Sequence, residues 1–129
     1  MQLYLPVKPL YSFRQARDFA GVICLRVQRA YPEMTTLERK LDQRGGKLYL
    51  DYLQNGRGKT LVAPYSPRPL PGAPISLPLT WDEVSGERIL PGEFTLQNAL
   101  SRLQQQGDLF APVLENKQIL PPVIPSLSP

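Results

Sequence analysis

Six of the fifteen residues from Pro64 to Pro78 are proline, and nothing else limits the fold of this 129-residue chain as strongly. Each proline fixes φ at about −65° and removes a backbone donor. A helix or an interior strand is therefore excluded from the run, which predicts an extended, well-pinned loop. Regular structure must lie on either side of it.

Before the run, "MQLYLPV" alternates briefly and stops at Pro6, which reads as a strand that starts almost at Met1. A domain rarely opens on a strand without a lead-in, so the beginning reads as cut. In "YSFRQARDFAGVICLRVQRAYP", Ser12 and Gln15 form a capping-box pair, and Phe13, Ala16, Phe19, Ala20, Ile23, Val27 and Ala30 recur at helical spacing until Pro32. Thr35 and Glu38 offer a second capping pair for a short helix closed by Gly45 and Gly46. "KLYLDYL" alternates as a strand, with Leu48, Leu50 and Tyr52 on one face and Lys47, Tyr49, Asp51 and Leu53 on the other. "QNGRG" then reads as a turn and "KTLVA" as the returning strand, an antiparallel hairpin over 47–63.

After the run, Thr80 and Glu83 cap a helical turn. Thr95 starts a helix over 96–106 along Leu96, Leu100 and Leu103, which Gly107 ends. The expected fold class is α+β: an antiparallel sheet built on the hairpin, backed by the 13–30 helix and closed by the 96–106 helix. We divide the chain into a domain over 1–111 and a proline-rich tail over 112–129, with no internal repeat.

Composition excludes several chemistries. With one cysteine and no histidine, the chain can form neither an internal disulfide nor a Cys/His zinc site, and a histidine-based triad is ruled out. Cys24 reads as a small core residue. No apolar run reaches the length of a membrane span and no signal peptide precedes the domain, so a soluble cytoplasmic protein without membrane contact is expected. The net charge of +4 is uneven. Residues 1–68 hold 12 Lys/Arg against 5 Asp/Glu, whereas residues 69–129 hold 3 against 6. The basic front half suits a polyanion such as nucleic acid or a triphosphate, or forms a solvated basic face.

Asp51 interrupts an otherwise apolar strand, where an unpaired carboxylate would cost several kcal/mol if buried. It is an edge residue facing water, a partner of a nearby cation, or a metal ligand. Lys47 shares its face, and Arg57, Lys59 and Arg68 follow in the hairpin and loop. A carboxylate beside a basic cluster suits a metal-bound phosphate, although hard divalent ions in phosphoryl-transfer sites usually take two or more carboxylates.

"GGKLYLDYLQN", "RGKTLVAPYSPR" and "PGAPISLPLTWDEV", with "FTLQNALSRLQQQGDLFAP" after them, resemble in order and spacing the polymerase domain of bacterial DNA ligase D. That domain belongs to the archaeo-eukaryotic primase superfamily and serves non-homologous end joining. The resemblance implies nucleotidyl transfer from a nucleoside triphosphate to a DNA 3′ end, assisted by Mg²⁺ or Mn²⁺. In the family, an early carboxylate pair and a later strand aspartate hold the ions, and the later aspartate matches Asp51. The family's arginine seven positions earlier matches Arg44, and that of the "APYS" segment, which helps bind the triphosphate, matches Arg68. Ser66 and Gln54 fall in the same motifs and are carried over as nucleotide-binding residues, with Arg57 and Lys59 as the cations for DNA.

The resemblance also implies what this sequence does not contain. The early carboxylate pair and the serine-lysine-histidine nucleotide motif would lie upstream of Met1, and Gln2 stands where many relatives carry histidine. The expectation is thus a partial primase-polymerase fold lacking its N-terminal part. Its metal site would need ligands from a missing segment or a partner chain. The expected partners are DNA ends and nucleoside triphosphates, a chain carrying the missing half, a ligase and an end-binding protein. The alternative is a non-catalytic remnant that binds DNA ends or nucleotides.

Overall fold

A computed structural model of the chain describes residues 1–86, 89–90 and 92–121. The chain divides into two compact units. One, the Asp51 unit, comprises Val7–Thr60 with the chain from Ile119; the other, the Tyr65 unit, comprises Met1–Pro6 with Leu61–Gln118.

In the Asp51 unit, helix α1 spans Phe13–Ala30. The capping box forms as its residues require: Ser12 Oγ accepts from the Gln15 N–H at 3.3 Å, and Gln15 Oε1 accepts from the Ser12 N–H at 2.9 Å. At the other end the Tyr31 N–H still reaches the Val27 carbonyl, and Pro32 prevents another turn. The apolar stripe is only partly covered: Ala16, Phe19, Ala20 and Val27 are half-buried, whereas Phe13 and Ile23 are exposed.

Two expectations for the next stretch are corrected. The Thr35 N–H and hydroxyl both donate to the Tyr31 carbonyl, at 3.0 and 2.8 Å, which holds Thr35 in extended backbone instead of at a helix start. Thr35–Thr36 form strand β1, and helical structure before Gly45 is reduced to one 3₁₀ turn over Leu41–Gln43. Gly45 and Gly46 then take φ of 57° and 75°, a conformation that glycine adopts without strain, and swing the chain into strand β2, Leu48–Tyr49.

The sheet is two-stranded and parallel, with Thr35 opposite Leu48 and Thr36 opposite Tyr49. It is not the antiparallel hairpin that the alternation suggests. The Leu48 and Leu50 N–H groups donate to the Met34 and Thr36 carbonyls, both at 2.9 Å. A type I′ hairpin would also need positive φ at both turn residues, and neither Asn55 nor Gly56 has it. Instead the chain makes two successive turns, closed by Asn55 N–H to Tyr52 O and Lys59 N–H to Gly56 O. The buried Leu120 fastens the unit from the far end of the chain, its N–H donating to the Tyr11 hydroxyl at 2.8 Å.

The Tyr65 unit is organised by the proline run. Residues 65–68 and 74–76 lie antiparallel, joined by Tyr65 N–H to Ser76 O, Ser76 N–H to Ser66 O and Arg68 N–H to Pro74 O at 2.6, 2.9 and 2.7 Å. The prolines occupy positions that need no donor. Pro71 and Gly72 (φ 81°) form the tip, closed by Ala73 N–H to Leu70 O, as a type II turn requires. Ile75, buried, donates onward to the Phe94 carbonyl. Helices α2 (Trp81–Gly86), α3 (Leu96–Gln106) and α4 (Ala111–Glu115) complete the unit. The Asn98 side chain accepts from the Thr95 N–H at the start of α3, and Gly107 (φ 71°) ends it. Residues 1–6 form no strand; Tyr4 sits edge-on to Phe110 at 5.3 Å instead. No helix among the described residues is long and apolar enough to cross a membrane.

Arg102 ties α3 to α2. Its guanidinium makes a bidentate pair with the Glu83 carboxylate, the Nη2–Oε2 bond being 2.7 Å, and also donates to the Pro78 carbonyl. Its Cζ lies 4.9 Å from the centre of the Phe94 ring. The same carboxylate accepts from the Thr80 N–H, so one side chain caps α2 and anchors α3. The Arg102 guanidinium holds the Glu83 carboxyl well down, at about 2.

Candidate functional site

Arg39, Arg44, Asp51 and Lys59 come together around β2, and none of them is in an ion pair among the described residues. A cavity of about 210 Å³ is lined by Arg39, Arg44, Tyr49, Asp51, Leu53, Gln54 and Lys59. Strand alternation places Tyr49, Asp51 and Leu53 on this side. The double turn after Tyr52 brings Gln54 and Lys59 back to it.

Each polar group here is held differently. Asp51 is exposed, and its Oδ1 accepts the Leu53 N–H at 3.1 Å. No cation closes an ion pair with it among the described residues. Lys47 is engaged elsewhere, donating from Nζ to the Pro32 carbonyl at 2.9 Å. Arg44 is half-buried and fixed by neutral partners: Nε donates to the Glu38 carbonyl at 3.2 Å, Nη2 donates to the Arg39 carbonyl at 2.8 Å, and Cζ stands 4.2 Å from the Tyr49 ring centre. Carbonyls and a ring orient the fork without neutralising it. Gln54 donates to the Thr60 carbonyl at 2.8 Å and braces the turn.

Burial, then the Asp51 carboxylate, raises the pKa of both the Tyr49 phenol and the Cys24 thiol. Cys24 is therefore a poor nucleophile, in keeping with a structural role.

The other expected site residues fall outside this cavity. Arg57 belongs to the same unit, is exposed and does not line it. Ser66 and Arg68 belong to the Tyr65 unit. Arg68 is exposed, and its guanidinium makes no hydrogen bond or ion pair among the described residues. The Ser66 hydroxyl donates to the Ala63 carbonyl at 2.6 Å and must leave it to serve a phosphate. Of the remaining lining residues, Tyr49 is legible in the sequence as the position two before Asp51 on the same face, whereas nothing in the sequence marks Arg39.

A divalent cation finds only one carboxylate in the cavity, and no group of three Asp, Glu or Cys comes together among the described residues. These residues do not fit a complete two-metal site. What the cavity offers is three cations around one carboxylate, a lining that suits a phosphorylated ligand better than a bare ion.

Comparison with known proteins decides the family. Residues 1–110 match the model of the LigD primase-polymerase domain. The chain belongs to this family. It is 37% identical over 119 residues to the bifunctional non-homologous end joining protein LigD of Bacillus subtilis, an alignment that covers 92% of this chain and 19% of that protein. To the multifunctional LigD of Mycolicibacterium smegmatis it is 34% identical over 113 residues, covering 88% and 15%. The polymerase domain of Mycobacterium tuberculosis ligase D, solved in complex with DNA, superposes with a TM-score of 0.75 at 28% identity, over 83% of this chain and 37% of that one. The chain thus spans a fifth or less of these relatives and over a third of the solved domain.

Proposed function

We propose that this chain supplies the nucleotide- and DNA-facing part of a LigD-type polymerase that adds nucleotides to DNA 3′ ends during non-homologous end joining. The observation that carries this reading is the β2 cavity, where Arg39, Arg44 and Lys59 surround an unpaired Asp51. Arg44, held by carbonyls and a ring, keeps its full charge for phosphate. Arg44 binds nucleotide phosphate from this cavity and Gln54 holds its rim; Arg68 and Ser66 are the nucleotide-binding residues of the proline hairpin. Arg57 and Lys59 are the DNA contacts. Asp51 is one ligand of a Mg²⁺ or Mn²⁺ ion, whose role is to lower the charge on the reacting phosphate; its other ligands come from outside the described residues. Every residue given a role lies within 1–111, and the chain acts on DNA in the cytoplasm.

The test is complementation. Mixed with the N-terminal part of a LigD polymerase domain that carries the carboxylate pair, this chain should support Mn²⁺-dependent primer extension, and Asp51→Ala should abolish it. Full activity in Asp51→Ala would overturn the assignment. The single carboxylate also favours a second reading, a non-catalytic binder of DNA ends or nucleotides. In that case no partner restores extension, while salt-sensitive DNA binding persists.

A further inference from the structure

Tyr65 is bulky yet has left-handed backbone, with φ of 62°. Such a residue is an outlier that persists only where surrounding contacts over-determine it, and these outliers gather at functional sites. Here the contacts can be named. The Tyr65 N–H donates to the Ser76 carbonyl at 2.6 Å, and its phenol donates to Asp108 Oδ1 at 2.5 Å, 43 residues along the chain. Asp108 is itself fixed, since the same oxygen accepts from the Phe110 N–H at 2.9 Å. Immediately after the strained residue come Ser66 and Arg68. Their backbones are registered against the facing strand by Ser76 N–H to Ser66 O and Arg68 N–H to Pro74 O.

We propose that Tyr65 and Asp108 form a positioning pair that holds the Ser66–Arg68 segment in its triphosphate-binding conformation. The inference rests on the nucleotide role proposed for those two residues. Without the phenol–carboxylate bond, the Tyr65 backbone is free to relax to a commoner conformation. The peptide planes on either side then turn, and the register that aims Arg68 is lost. Neither Tyr65 nor Asp108 needs to touch the ligand. Asp108 also lies just after α3, which makes the "GDLF" segment part of the nucleotide machinery and not merely an end of the domain.

The experiment measures the affinity of the full chain for Mg²⁺-tripolyphosphate by calorimetry, in variants whose helical circular dichroism matches the parent. Arg68→Ala should weaken binding by more than about tenfold, the cavity cations leaving a residual affinity. Tyr65→Phe and Asp108→Ala should each weaken it about tenfold, the scale of one hydrogen bond to a charged group. The double variant should be no weaker than either single one, because both remove the same bond. Asp108→Asn, whose carboxamide oxygen still accepts, should stay within about threefold of the parent, a rescue that general destabilisation would not give. Binding that is weakened in Arg68→Ala but unchanged in both Tyr65→Phe and Asp108→Ala overturns the positioning pair alone. Binding insensitive to Arg68→Ala, or absent from the parent chain, overturns the nucleotide role and the pair with it.

Discussion

Two regions, the α2–α4 end of the Tyr65 unit and the β2 cavity of the Asp51 unit, use their charged side chains in opposite ways. In the Tyr65 unit, carboxylates are committed to holding the fold: Glu83 caps α2 and pairs with Arg102, and Asp108 receives the Tyr65 phenol and the Phe110 N–H. In the β2 cavity, Arg44 meets carbonyls and a ring, Arg39 and Lys59 are exposed, and the one carboxylate among them has no ion-pair partner among the described residues. Paired charges stabilise; unpaired charges held in fixed geometry can act on a ligand.

Breaking the paired charges should cost the most stability. Arg102→Ala leaves the Glu83 carboxylate without its main partner, with only 25% of that side chain exposed. Loss of about 1.5–3 kcal/mol is expected in chemical denaturation. Acid should reproduce part of this. Because the folded Glu83 pKa lies below its ordinary value of 4.5, at about 2, its contribution is complete above about pH 4.5. It is lost as pH falls from there towards 2. Glu83→Gln should therefore show a shallower stability loss than the parent across that window, and equal slopes would contradict the pairing.

Substitutions in the unpaired set should do the reverse, leaving stability nearly intact and changing binding. Asp51→Ala removes only the bond to the Leu53 N–H, worth below about 1 kcal/mol. Salt-sensitive DNA binding, followed by fluorescence anisotropy, should be kept or slightly strengthened as a negative charge leaves the cation cluster. The smallest effect is expected from Arg57→Ala: uniformly weaker DNA binding, with the slope of log K against log salt reduced by about 1, and no change in melting temperature.

What could be read in the sequence follows the range of the interactions. Helices α1 and α3 were legible to the residue because Ser12 with Gln15, and Thr95 with Gly107, mark ends that are set by neighbours along the chain. The proline run was legible for the same reason. The parallel pairing of Thr35–Thr36 with Leu48–Tyr49 was not, since alternation shows that a strand exists and not which strand it meets. Thr35 reads as a helix cap in the sequence, but its hydroxyl donates to the Tyr31 carbonyl behind it. At the site, Asp51 and Arg44 came from motif resemblance, and the structure brings them to one cavity with Gln54 and Lys59. The Tyr65–Asp108 bond spans too much sequence for any local pattern to signal it.

The central claim is that these residues grip the nucleotide and DNA but provide only one carboxylate of the metal site. Primer extension by this chain alone, with Mn²⁺ and ribonucleotides on a template with a 5′ overhang, tests it most directly. The account predicts no incorporation while DNA binding is retained. Incorporation that depends on Asp51 would mean that a complete metal site assembles from this chain, and would contradict it.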